Sequence, residues 1–245
     1  MSRLVSASTA TGVGRALRHP GLPPPVQVWR HPAIDAAAAQ GPLGTFAYRY
    51  GKRAMDVAAG IAGLLATGWL WPLVALAVKL DSRGPVVFRQ WRPGLRRRPF
   101  VLYKFRTMVD GAEGMLPEIE QMSRDPAGVL VDVPSDPRVT RVGRWLRKTS
   151  VDEWPQFINI LKGEMSLVGP RPFARSFTIR DPRALRRFAV RPGLTGPWQI
   201  SGRKDTTFAE AVEKDVVYVQ QWSLPKDVSV IVRTMGVLLR AKGAR

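Results

Sequence analysis

Val57 to Val78, VAAGIAGLLATGWLWPLVALAV, is a run of 22 consecutive residues without a charge, and its reading decides the fold. A helix needs about 20 apolar residues to span a bilayer core, so a membrane segment is the first reading. Ala and Gly dilute the hydrophobicity enough to leave a buried helix of a soluble core as an alternative. Pro72 falls inside the run, removes a backbone N–H and clashes with the preceding turn, so the helix is expected to kink or break there. Both flanks are basic, with Lys52 and Arg53 before the run and Lys79, Arg83 and Arg89 after it. The positive-inside rule then sets both ends on the cytoplasmic side. A re-entrant helix that enters, bends at Pro72 and returns meets both conditions, with Trp69 and Trp71 near the bend helping to set its depth. A straight span is the runner-up.

Outward from this run the chain divides in three. Residues 1–50 hold six prolines and the run Ala36 to Ala39 without a sustained hydrophobic period, which predicts a mostly disordered tail. The tail lacks the central apolar region of a secretory signal; its Arg/Ser content, with no acid before Asp35, faintly resembles an organellar transit peptide. Residues 51–82 form the membrane helix, and residues 83–245 a mixed domain. The predicted class is α+β, mainly helical, with a small β-hairpin from GPVVFRQ and FVLYKFRTM around Pro93, Gly94 and Arg96 to Arg98. Helical stripes follow: Val139, Val142 and Leu146 within Arg138 to Lys148; Phe208, Ala211, Val212, Asp215, Val219 and Trp222; and Val228, Ile231, Met235, Leu238 and Leu239. The first carries Arg141, Arg144 and Lys148 off its apolar stripe, a pattern suited to an anionic membrane surface or to a plain solvated face.

Composition narrows the chemistry. The chain of 245 residues has no cysteine, which excludes disulfides, zinc–thiolate sites and thiol nucleophiles. Its only histidines, His19 and His31, lie in the tail, so a Ser-His-Asp triad or a histidine metal site in the body is excluded. Any catalysis falls to carboxylates, Lys, Arg, Tyr and Ser. The net charge of +19 implies an anionic partner: nucleic acid, acidic lipid or a phosphorylated substrate.

The most suggestive stretch for chemistry is TSVDEWPQFINILKGEMSLVGPRP, residues 149–172. Trp154, Phe157, Ile158 and Leu161 predict a helix packed on that face. Pro155 is tolerated only in a first turn, so the helix start is expected near Ser150 to Asp152, with Asp152 and Glu153 at its N-terminus. Two readings stand side by side. Ser150 to Glu153 fits a capping box, while two adjacent ionised carboxylates suit a divalent metal and a nucleophile. Arg171, in the GPRP loop, and Arg147 are candidates for clamping a diphosphate. Asp215 falls in an apolar stripe and needs either a structural Arg/Lys partner or a place near the site.

Residues from about 51 to 245 resemble the bacterial sugar transferase family, the monotopic polyprenyl-phosphate phosphoglycosyl transferases, in their small form. The matching stretches are KRAMDVAAG (52–60), GPVVFRQWRPG (84–94), YKFRTM (103–108), residues 136–172, RPGLTGPWQISGR (191–203) and DVVYVQQWSLPKDVSVIVRT (215–234). GPWQISGR and WSL are closer to the exopolysaccharide-initiating hexose-1-phosphate branch. The resemblance implies transfer of a sugar 1-phosphate from a UDP-sugar to undecaprenyl phosphate, with release of UMP and a covalent aspartyl-phosphosugar intermediate, as the first membrane step of exopolysaccharide, capsule or O-antigen assembly. It implies Asp152 as nucleophile, Glu153 as ligand of Mg²⁺, and Lys104, Arg147 and Arg171 as phosphate-binding residues; Asp215 is carried as a further substrate-site candidate. It also implies a monotopic enzyme on the cytoplasmic face of the bacterial inner membrane, in contact with anionic lipids, with a homodimer as a compatible assembly and no nucleic-acid partner. The chain departs from many relatives in Trp71-Pro72, where those have Ser-Pro, and in Glu164, where Asp is usual. Two rival classes are a basic nucleic-acid-binding protein, against which the uncharged run argues, and a non-catalytic membrane scaffold, which would not require Asp152 and Glu153.

Overall fold

The computed structural model describes residues 31–39, 41–115, 119, 133, 136–172, 181–201 and 208–239. Helix α1 (Pro32–Ala39) and a 3₁₀ turn, Gly41–Gly44, come first. A π-turn, Ala47–Gly51, leads into α2 (Lys52–Thr67), and a 3₁₀ turn, Gly68–Leu70, separates α2 from α3 (Trp71–Asp81). The break therefore lies just before Pro72, which takes the second position of α3, where a missing N–H leaves no intrahelical bond unmade. Ala47–Asp81 is the one helical run among the described residues long and apolar enough to cross a membrane. Its outer face is bare: Leu65 is 75% exposed, and Trp69, Leu73, Leu76 and Leu80 are exposed with it. That exposure removes the buried-core alternative for this segment.

Both ends of the helix pair are fastened to the rest of the protein. Arg53 donates from Nη1 to Ile160 O (2.7 Å) and from Nη2 to Leu161 O (2.8 Å). Lys52 Nζ reaches Asp227 Oδ2 (2.7 Å) and Val168 O (2.9 Å), and Asp56 Oδ1 accepts from Ser166 Oγ (2.8 Å) and Leu167 N (2.9 Å). At the far end Arg106 Nη2 donates to Ser82 O (2.7 Å), and Asp81 Oδ2 accepts from Val142 N (2.8 Å).

The hairpin forms as expected, β1 (Val87–Pro93) pairing antiparallel with β2 (Pro99–Phe105), register Val87 opposite Phe105. Then come α4 (Arg141–Thr149), a 3₁₀ turn Val151–Glu153, α5 (Gln156–Lys162) and β3 (Ser166–Val168). Next are α6 (Pro182–Leu185), a 3₁₀ turn Arg186–Ala189, β4 (Gly193–Thr195) and α7 (Pro197–Ile200). Helices α8 (Phe208–Gln220) and α9 (Leu224–Leu239) end the described chain. Strands β3 and β4 pair in parallel, a second small sheet that periodicity did not announce. Helix α5 lies against α2 because α2 offers glycine there: a Cβ on Gly63 would stand 2.5 Å from the Phe157 ring and one on Gly60 2.8 Å from Leu161.

Three expectations change. The tail is not disordered throughout: α1 puts Ile34, fully buried, and Ala37 into the main core with Leu185, Phe188, Val212 and Trp222. Residues 1–30 lie outside the described residues. The basic helix starts at Arg141 rather than Arg138, because Thr140 caps it by accepting from Gly143 N (3.0 Å) and Val139 instead bridges to Met108. In α9 the apolar stripe is turned mostly outward: Val228, Met235 and Leu238 are exposed and, among its described residues, only Ile231 packs on the main core, while Asp227 and Val230 face the protein. The Asp227 ion pair with Lys52 fixes that rotation. The α8 stripe behaves as expected, with Ala211, Val212, Asp215, Val219 and Trp222 buried; the Phe208 and Leu239 side chains lie outside the description.

Candidate active site

Asp152 and Glu153 occupy the 3₁₀ turn between α4 and α5, 7% and 9% exposed. Ser150 does not cap α5. It sits in the left-handed region (φ 58°) as the last link of α4, its N–H bonded to Arg147 O and Leu146 O, and its side chain makes no cap bond. The capping box is therefore not formed, and α5 proper begins after Pro155. Glu153 is drawn the other way: its Oε1 accepts from Arg171 Nη2 (2.7 Å) and Lys104 Nζ (3.0 Å). The face of α5 turned most deeply inward is also not the apolar one. Gln156, Asn159 and Ile160 are buried, while Trp154, Phe157, Ile158 and Leu161 are half-buried. Asn159 pins α5 to β2, donating from Nδ2 to Val101 O (2.7 Å) and accepting at Oδ1 from Tyr103 N (3.2 Å).

Each cation comes from a different element. Lys104 is on β2, opposite Phe88. Arg147 is on α4, where its Nε donates to Thr107 Oγ1 (2.9 Å). That contact depends on Gly143, since a Cβ there would lie 2.1 Å from Thr107 O. Arg171 comes from the loop after β3. Arg92, on β1, completes the group: it donates from Nη1 to Pro172 O (2.8 Å) and from Nη2 to Gln90 Oε1, while its buried Nε has no partner. Sequence reasoning assigned Arg92 no role, although it stands in one of the matching stretches.

Burial sets the electrostatics. It pushes the Asp152 carboxyl above its ordinary range; Lys104, Arg147 and Arg171 oppose that rise and the Glu153 charge adds to it. Burial lowers Lys104, against the pull of Glu153 and with the push of Arg171. Arg92 is brought down to about 9 by burial and then by the charge of Arg171. In Arg171 burial is outweighed by Glu153, and its affinity for a proton rises. Four half-buried cations thus act on two buried carboxylates, an excess of two positive charges, which favours a dianionic guest such as a diphosphate.

Asp215 stands apart from this group. It is fully buried and bonded to Arg187 Nη2 (2.6 Å), and the same Nη2 donates to Arg171 O (2.6 Å). The structural partner foreseen for it exists, and its link to the site is indirect. Burial raises Asp215 to about 6 and lowers Arg187, so desolvation outweighs their attraction on both sides of the pair. Arg187 itself carried no sequence signal in a run of basic residues.

Among the described residues no group of three or more His, Asp or Glu could hold a metal by itself. Magnesium binds through one or two carboxylates and completes its shell with water and substrate phosphate oxygens; here Oε1 of Glu153 already accepts from Lys104 and Arg171. Asp152 and Glu153 are the carboxylates available.

A family model described as bacterial sugar transferase matches residues 47–241, and the chain belongs to that family of transferases. Among relatives, it is 41% identical over 216 residues to the UDP-glucose:undecaprenyl-phosphate glucose-1-phosphate transferase of Caulobacter vibrioides, covering 83% of this chain and 75% of that one. It is 38% identical over 214 residues to the exopolysaccharide production protein ExoY of Rhizobium meliloti, covering 86% and 93%. It is 39% identical over 202 residues to the galactosyl transferase CpsE of Streptococcus agalactiae, covering 82% of this chain but 44% of that protein, so it spans less than half of that longer relative.

Proposed function

We propose that this transferase moves a hexose 1-phosphate from a UDP-sugar to undecaprenyl phosphate, releasing UMP, at the cytoplasmic face of the bacterial inner membrane, as the first membrane step of a surface polysaccharide. The observation that carries the reading is the buried Asp152–Glu153 pair under Lys104, Arg92, Arg147 and Arg171. Those residues belong to a domain that grips both ends of an exposed apolar helix pair. The names of the Caulobacter and Rhizobium relatives agree with it.

In this mechanism a carboxylate oxygen of Asp152 attacks the sugar-bearing phosphorus of the donor. The bond from that phosphorus to the bridging oxygen breaks, and UMP leaves with the electron pair. A phosphate oxygen of the lipid then attacks the same phosphorus, the aspartyl–phosphorus bond breaks, and the Asp152 carboxylate is restored. Arg171 and Lys104 neutralise charge on the diphosphate, Arg171 through a bidentate fork, and Arg147 holds the Asp152 side of the cluster. Magnesium held by Glu153, when bound, would supply charge neutralisation at the phosphate oxygens. To meet a donor from water and an acceptor from lipid, α2 and α3 enter the bilayer and return, the turn at Gly68–Leu70 being the bend. The interrupted helix supports this, as do its two fastened ends. The exposed face of α4, with Arg141, Arg144, Trp145 and Lys148, suits anionic headgroups.

The test is UMP release from UDP-glucose and UDP-galactose with undecaprenyl phosphate in detergent. Asp152→Asn is expected to abolish turnover while leaving the thermal midpoint within a few degrees, because Asn preserves size and burial. Wild type given donor without acceptor should carry a sugar-phosphate adduct on the peptide containing Asp152. Turnover by Asp152→Asn at the wild-type rate would refute the nucleophile.

A further inference from the structure

Arg171 sits in a loop without regular structure, yet its backbone is held at two consecutive carbonyls. Arg187 Nη2 donates to Arg171 O (2.6 Å), and Arg92 Nη1 donates to Pro172 O (2.8 Å). Arg187 belongs to the single 3₁₀ turn Arg186–Ala189, too short to persist alone. Two supports hold that turn. Asp215 on α8 pairs with Arg187 itself. On the other side α1 packs against the turn, with Ile34 and Ala37 in one buried cluster with Leu185, Phe188 and Ala189. The 3₁₀ turn after α1, Gly41–Gly44, packs against α8 with Leu43 buried, so the segment touches both elements that carry the Arg187–Asp215 pair. All of it precedes residue 47, where the family match begins.

Nothing intrinsic makes α1 a helix that stands by itself. It has eight residues, short of the roughly 12–15 at which isolated helices become even marginal in water, so its order is its docking. The docking face is Ile34 and Ala37, one turn apart and both buried, while Asp35 and Ala36 are exposed.

We propose that residues 32–44 form a strap that positions Arg171 for the donor diphosphate, acting through Arg187 and Asp215; this rests on the role given to Arg171 above. The strap touches no substrate. Its residues act by keeping the Arg186–Ala189 turn, and with it the Arg171 carbonyl, at a fixed distance from Glu153. Displacement of a positioned charge by an ångström is enough to lower a rate severely.

A double-mutant cycle on the full-length protein in detergent tests this, with kcat and donor KM measured for wild type, Ile34→Ala, Arg171→Ala and the double variant. The strap requires Ile34→Ala to lower kcat/KM about three- to tenfold in the wild-type background and to change nothing further once Arg171 is Ala. An equal loss in both backgrounds marks Ile34 as ordinary core and overturns the strap; so does no loss in the first. Should Ile34→Ala fail to fold, Ile34→Val and Arg187→Lys repeat the cycle. Arg187→Lys keeps the charge facing Asp215 but shortens the reach to the Arg171 carbonyl, so it is expected to show the same dependence on Arg171. If Arg171→Ala alone leaves kcat/KM unchanged, the donor-clamp reading itself falls and the strap loses its object.

Discussion

Around Asp227 each carboxylate oxygen meets matched donors: Lys52 Nζ at 2.7 Å and Trp222 Nε1 at 2.9 Å on Oδ2, Tyr218 OH at 2.8 Å on Oδ1. Lys52 gives a further bond to Val168 O (2.9 Å), which also lies 3.1 Å from the Tyr218 hydroxyl whose single proton serves Asp227 Oδ1. Around Glu153 the pattern is reversed. Lys104 and Arg171 converge on one oxygen, Arg92 and Arg147 stand behind them, and Arg92 keeps a buried Nε without a partner. The carboxylates of both clusters are buried, the cations of the second only half so, and both clusters are built from residues far apart in sequence. The first is complete without a guest and joins the helix pair to β3 and α9. The second carries more positive charge than the protein supplies acceptors for, which is the condition for binding an anion.

The sharpest way to break this comparison is at Lys52. Lys52→Met removes the cation from a buried carboxylate and is expected to destabilise the protein by about 3–5 kcal/mol, read as a fall in thermal midpoint, with kcat of the surviving folded fraction near wild type. A selective loss of kcat at unchanged stability would place Lys52 in the active site instead. Next in size is Arg171. Arg171→Ala is expected to lose on the order of 10²-fold in kcat/KM, with Arg171→Lys recovering only part, because an ammonium cannot form the bidentate contact. Near-normal kinetics would reduce Arg171 to a loop residue.

The smallest effect belongs to Asp215. Its folded value of about 6 lies above the ordinary 3.8, so between these the folded state binds a proton that the unfolded chain does not. Stability from this group is fully present below pH 3.8 and is lost as pH rises through 6. Lowering the pH from 7 to 5 should therefore stabilise wild type relative to Asp215→Asn, by about 1 kcal/mol. The two thermal midpoints measured across that range check the sign. A relative loss of wild-type stability on acidification would mean that the Arg187 pair outweighs burial.

How far sequence reaches into this molecule follows from the range of each interaction. The hairpin and the α8 stripe were legible because strand-forming runs broken by turn residues, and helical spacing, are local. The outward stripe of α9 misled because an apolar face reports that it avoids water, not what covers it; one ion pair to a residue 175 positions away set the rotation. Ser150 to Glu153 had the local pattern of a capping box. It lost to the left-handed end of α4 and to Lys104 and Arg171, which lie 49 and 18 positions from Glu153. Asp152, Glu153, Arg147 and Arg171 were named from their local residue pattern and Lys104 from a motif position, whereas Arg92 and Arg187 were not named. A basic run offers no means of telling the one arginine that points inward.

The bonds at the start of α2 carry a practical consequence. Lys52, Arg53 and Asp56 serve, respectively, a carboxylate on α9, the last carbonyls of α5 and the amide of Leu167 in β3. A soluble fragment obtained by deleting everything before residue 82 would strip Asp227 of its cation, uncap α5 and leave the inner face of Phe157 and Leu161 bare. The apolar helix pair and the domain that carries Asp152 and Glu153 are therefore expected to unfold together, and trimming the pair to yield an unstable fragment rather than a soluble enzyme.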